Sequence, residues 1–214
     1  MTTSVLLVHG GLWDAMDADA FWGTPGVTAA VIAALDPDGS GRVEVLAPDR
    51  PQRATGWDLE VAALGEYLAK RSGPVRIVGA SNGCTVAVLL ATRFPDVVDR
   101  LMLAWPATGD DPAGNERARA GMMNRGCPAD VADGLLRGGI LRGVQDRELA
   151  SLTQTRVAVL PSVPENPSHQ RKTVDALLRS IRGSHELAGC PEPPVPGFPP
   201  FLDQLARTIV EFVN

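Results

Sequence analysis

Histidine and cysteine are scarce in this chain, and no stretch of it is either long and apolar or strongly basic. There are three histidines, His9, His169 and His185, so any imidazole that moves a proton must be one of them. The three cysteines, Cys84, Cys127 and Cys190, are odd in number and widely spaced. That pattern excludes a disulfide framework and a cysteine-based metal site, and it suits a reducing, cytoplasmic compartment. A net charge of −5 without a basic run argues against nucleic acid as a partner. No apolar run approaches membrane-spanning length, and the first residues enter an apolar run at once without a secretory leader, so no membrane partner is expected. Internal repeats and domain linkers are also absent. The 214 residues fit one α/β unit able to bury a sizeable core. No metal or cofactor is expected, and the expected partner is a small-molecule substrate.

What is present is a regular alternation. Short apolar runs at Ser4–Val8, Val43–Ala47, Val75–Val78, Leu101–Trp105 and Val157–Leu160 read as strands buried on both faces. A weaker sixth run lies at Ser184–Ala188. Between them lie helical patterns. Thr24-Pro25 offers a capping hydroxyl and a first-turn proline ahead of Val27, Val31, Ala34 and Leu35. Trp57–Lys70 places Val61, Leu64 and Leu68 on one face, and Val174, Leu177, Leu178 and Ile181 mark an amphipathic helix. A last helix runs through Leu202, Leu205, Ile209 and Phe212. The order predicts a doubly wound, mainly parallel α/β sheet of about six strands. Thr108–Thr155 breaks the rhythm with many glycines and short helical patches, and it reads as a lid inserted above the strand ends.

One stretch carries chemistry. Val75–Val78 runs directly into Gly79-Ala80-Ser81-Asn82-Gly83, and an apolar small-residue helix follows from Thr85 to Ala91. Strand, sharp turn and helix form the context a nucleophile elbow requires, with glycines on either side so that strand and helix can close on a strained serine.

With Val5-Leu6-Leu7-Val8-His9-Gly10-Gly11, Ala47-Pro48-Asp49 and a terminal helix ending Glu211-Phe212-Val213, the chain resembles the α/β-hydrolases over nearly its whole length. It starts at the equivalent of the family's third strand and lacks the antiparallel first pair. The resemblance implies a serine nucleophile at Ser81. It implies an oxyanion hole from the N–H of Asn82 with that of Gly11 or Leu12, and it makes His9 a structural member of the oxyanion loop. For the acid, the family spacing points to Glu165 in the loop after the fifth strand, with Asp110 as the runner-up. The histidine position departs from the family. After Gly189, where a histidine is expected, stands Cys190-Pro191-Glu192. His169, beside the acid loop, is the favoured displaced base. His185 falls at the start of the sixth strand, which in a parallel sheet is the end away from the site, and a site without a histidine is the third possibility. The implied function is hydrolysis of an ester, thioester or lactone of a small apolar substrate. The alternatives are a non-hydrolytic enzyme using groups such as Glu192 or Cys190, and a binding protein with a hydrolase-shaped pocket.

Overall fold

Alternate residues of the central strands face opposite layers, and both layers are helical. The computed structural model describes residues 3–41, 43–71 and 73–214. Its sheet comprises β1 (Thr3–Val8), β2 (Val43–Leu46), β3 (Val75–Ala80), β4 (Val98–Ala104), β5 (Arg156–Leu160) and β6 (His185–Glu186). They lie in the order β2-β1-β3-β4-β5-β6, and every pairing is parallel. The helices are α1 (Val27–Leu35), α2 (Trp57–Ala69), α3 (Gly83–Arg93), α4 (Pro112–Asn124), α5 (Ala129–Leu136), α6 (Asp146–Ala150), α7 (Arg171–Ser180) and α8 (Leu202–Val213).

The strands read as unbroken apolar runs because each side has its own core. Leu6, Val8, Ile77, Leu101, Leu103, Val157 and Val159 pack with α2, α3 and α7. Val5, Leu7, Val78, Ala80, Met102, Ala104 and Leu160 pack with α1 and α8. This is the burial that the two-residue strand period dictates when helices cover both faces. The chain turns from β1 outward to β2 and then returns to β3 on the other side of β1. That reversal opens a crevice at the carboxyl ends of β1 and β3, the position where sheets of this kind place their sites.

Several local expectations change. Helix α1 starts at Val27, not at Pro25, because Thr24 closes a short π-helical turn over Asp19–Gly23 and its hydroxyl donates to Asp19 Oδ2 at 3.0 Å. The sixth strand shrinks to His185 and Glu186, which pair with Ala158 and Val159. Segment 108–155 between β4 and β5 carries α4, α5 and α6 and is less loosely patterned than its glycines suggest. Met122, Ala132, Leu135, Leu141, Val144, Leu149 and Leu152 are all buried there, in the same core as α2 and α3. Among the described residues, no helix is long and apolar enough to cross a membrane.

Candidate active site

Ser81 leaves β3 with φ of 53°, a left-handed conformation that a residue bearing a Cβ adopts only under constraint. Close packing supplies that constraint. A Cβ on Gly83 would lie 2.5 Å from the carbonyl oxygen of His9, and one on Gly10 would lie 2.9 Å from Ser81 Cβ. The two glycines therefore let the His9–Leu12 loop, the turn at Ser81 and the start of α3 converge. The Ser81 N–H donates to Ala104 O at 2.9 Å, anchoring the turn to β4. The N–H groups of Gly11, Leu12 and Asn82 have no acceptor among the described residues. Asn82 also stands at the N-terminus of α3, where the helix dipole favours negative charge.

A buried arginine shapes the loop opposite. Arg50 Nη1 donates to the carbonyls of His9, Gly10 and Gly11 at 3.0, 2.9 and 3.0 Å, while its Nε pairs with Glu60 at 2.6 Å. Three carbonyl oxygens turned toward one guanidinium leave the loop's N–H groups facing the other way. His9 belongs to this frame: Nδ1 donates to Gly10 O at 2.8 Å, and Nε2 accepts from the Arg50 N–H at 2.9 Å. Burial, then the Arg50 charge, push its pKa down to about 4, so it is a neutral structural imidazole.

The structure brings Ser81 and His169 together. His169 Nε2 lies 2.9 Å from Ser81 Oγ, and both residues are buried. The loop between β5 and α7 is shaped by Asn166, whose Oδ1 accepts from the N–H of Ser168 at 2.9 Å and of His169 at 3.2 Å. Thr108, just beyond β4, adds two more ties. Its N–H donates to Ser168 O at 2.8 Å, and its Oγ1 accepts from the Gln170 N–H at 3.0 Å.

Glu165 is not brought to this histidine. It is exposed, and its carboxylate accepts from the Arg171 N–H at 2.7 Å, at the first turn of α7. The physical reason is that the free N–H at the N-terminus of α7, where the helix dipole favours a carboxylate, captures Glu165. Asp110 is also exposed, and its carbonyl accepts from Lys172. The group that faces His169 Nδ1 is Glu192, with Oε1 at 3.4 Å, within ion-pairing reach. Glu192 comes from the loop after β6, held where Trp105 Nε1 donates to Cys190 O at 2.7 Å. The signal for it in the sequence was its place, two residues after the expected histidine position. Nδ1 has a second neighbour, Asn166 Nδ2 at 3.2 Å. Asn166 Oδ1 is taken by backbone donors, so the amide presents its NH2 group to the ring. An amide donor favours an unprotonated Nδ1 and a carboxylate favours Nδ1–H, so the two compete for the tautomer.

Of the remaining candidates, His185 is exposed on the edge strand β6, three strands from β3, with its ring 6.4 Å from that of Phe212; its pairing with Ala158 puts it level with the middle of the sheet, not at the far end expected from the sequence. Burial raises the Cys190 thiol to about 11, which leaves it protonated and unsuited to reaction. Trp22 and Trp105 are fully buried and pack against Phe21, so they are core residues. Among the described residues no group of three or more His, Cys, Asp or Glu could hold a metal ion.

Arg142, in segment 108–155, joins the site with no signal in the sequence. Its Nη1 donates to Asn82 Oδ1 at 2.9 Å and its Nε to Asn115 Oδ1 at 3.0 Å. The Arg142 carbonyl accepts from Thr85 Oγ1 at 2.6 Å, which ties this segment to the first turn of α3. Asn115 also lines a surface cavity of about 620 Å³ between α4 and α5.

Six parallel strands in this order, flanking helices and a strained serine at the tip of the third define an α/β-hydrolase fold. Solved structures agree. NosK from Streptomyces actuosus superposes with a TM-score of 0.65 at 20% identity, covering 99% of this chain and 98% of that one. The meta-cleavage product hydrolase CumD from Pseudomonas fluorescens IP01, as a serine-to-alanine mutant complexed with acetates, gives 0.63 at 18%, over 99% and 90%. A pyrethroid hydrolase from Sphingobium faniae JZ-2 gives 0.61 at 16%, over 100% and 98%. No protein-family model matches the chain, and no curated protein sequence matches it.

Proposed function

We propose that the protein is a serine hydrolase that cleaves an ester, thioester or lactone through an acyl-enzyme on Ser81. The observation that carries this reading is the 2.9 Å contact between Ser81 Oγ and His169 Nε2 on a strained elbow. In the first step the Ser81 hydroxyl proton passes to His169 Nε2 as Oγ bonds to the substrate carbonyl carbon. The carbonyl oxygen becomes an oxyanion held by the Asn82 N–H and that of Gly11 or Leu12. Collapse expels the alkoxide or thiolate, which takes the proton from Nε2. Water then attacks the acyl carbon, gives a proton to Nε2, and the released Ser81 oxygen recovers it. Glu192 carries the acid role in place of Glu165: its carboxylate faces Nδ1 and stabilises the imidazolium. Segment 108–155 acts as a lid, contributing Arg142 and Asn115 to the site's border.

One observation favours a non-hydrolytic or binding role instead. The Asn166 amide at Nδ1 supports the tautomer in which Nε2 carries its own hydrogen and cannot accept one from Ser81. A fluorophosphonate probe separates the two readings, because only a serine activated by its neighbour labels rapidly. Rapid labelling of the parent and none of Ser81→Ala supports the hydrolase. Absence of labelling in the folded parent overturns it.

A further inference from the structure

Arg142 is a buried charge with no carboxylate in direct contact. It is 6% exposed and, among the described residues, forms no ion pair; its two hydrogen bonds go to neutral amide oxygens. Its other terminal nitrogen, Nη2, has no acceptor among the described residues. Burial works against the charge, and what offsets it is the field of Asp111, whose carboxylate is engaged by Gln170 Nε2 at 3.0 Å. Arginine is rarely buried without a partner, because an unpaired ion is costly to take out of water. Arg50 follows that rule by closing on Glu60.

A purely mechanical role does not explain the charge. The segment is already tied to α3 by Thr85 Oγ1 and the Arg142 carbonyl, and a neutral side chain could serve two amide oxygens. The position matters as well. One trans peptide step of about 3.8 Å, one asparagine side chain and a 2.9 Å hydrogen bond separate Arg142 from the Ser81 backbone. Through Asn115 the same guanidinium adjoins the wall of the 620 Å³ cavity. A planar guanidinium with free donors is suited to bind a carboxylate in two-pronged fashion.

We propose that Arg142 is the residue through which this site recognises an anionic substrate: an ester or thioester with an apolar body and a carboxylate near the scissile bond. The inference rests on the hydrolase reading of Ser81 and narrows the wholly apolar substrate expected from the sequence.

The test compares paired substrates. One series is the para-nitrophenyl half-esters of succinic, glutaric and adipic acid against their methyl diesters. The other is phenyl butyrate with and without a meta-carboxylate on the ring. The parent is expected to favour an anionic member by roughly 10- to 100-fold in kcat/KM, mostly through KM. Arg142→Gln should erase that preference while still turning over the neutral esters, and Arg142→Lys should keep part of it. Thermal melting of each variant checks the fold. Equal preference in the parent and Arg142→Gln, or no preference in the parent, overturns the role of Arg142. If the parent turns over neither class, the hydrolase reading falls separately. Calorimetric binding of monomethyl adipate then decides the matter: weaker binding by Arg142→Gln than by the parent supports anion recognition, and equal or absent binding by the parent overturns it.

Discussion

Ser81 has two sides, and different physics holds each of them. On the side of the proposed oxyanion hole a buried ion pair, Arg50–Glu60, gathers three consecutive carbonyls, and a neutral His9 completes the frame. On the base side His169 and Glu192 ride on two loops fixed by neutral hydrogen bonds from Asn166, Thr108 and Trp105. The first side is scaffold, costly to disturb and chemically inert. The second carries the proposed reactive groups on cheaper supports, so a histidine and a carboxylate can change loops there without a change of fold. In the proposed mechanism the base comes from the loop after β5 and the acid from the loop after β6, opposite to the arrangement the family resemblance implies.

That contrast predicts opposite phenotypes. The largest effect belongs to the base side: His169→Ala should lower kcat on a neutral aryl ester by about 10⁴-fold or more with the melting temperature nearly unchanged. His185→Ala, on exposed β6, should leave kcat where it was, and matched losses in both variants would break the comparison. On the oxyanion side, Glu60→Ala leaves Arg50 charged, buried and unpaired, and a destabilisation of about 3–5 kcal/mol is expected in denaturant melts. A Glu60→Ala protein of parental stability with reduced kcat would place this ion pair with the reactive groups instead.

A smaller effect should appear in the pH dependence of stability. His9 has its pKa pushed down to about 4, against the usual 6.5 in the unfolded chain. Because the folded state resists protonation, the contribution is fully present above about 6.5 and is lost as pH falls toward 4. At most about 3 kcal/mol is at stake. Urea melts between those limits should show the parent losing stability with a slope that His9→Gln lacks, and equal slopes would remove His9 from the frame.

The oxyanion side was legible in the sequence because its parts are contiguous. His9-Gly10-Gly11 follows an apolar strand, Gly79–Gly83 follows another, and parallel pairing of β1 with β3 puts the two side by side. The base side has no such signature. His169 could be approached by elimination among three histidines, but the acid was counted as a spacing from the strand, and Glu165 satisfies the count while its side chain turns to the N-terminus of α7. Side-chain direction in a turn depends on which backbone groups Asn166 captures, and composition does not encode it. Arg142 was invisible for a related reason. In Gly138–Gly143 it looks like any solvated arginine, and only the packing of segment 108–155 against α3 buries it.

The central claim is that Glu192, not Glu165, completes the pair formed by Ser81 and His169. Glu192→Gln and Glu165→Gln, each close in shape to the parent, should be assayed at saturating neutral ester. The account predicts that Glu192→Gln lowers kcat by roughly 10²–10⁴-fold while Glu165→Gln stays close to the parent. A large loss in Glu165→Gln with Glu192→Gln near parental activity would contradict it.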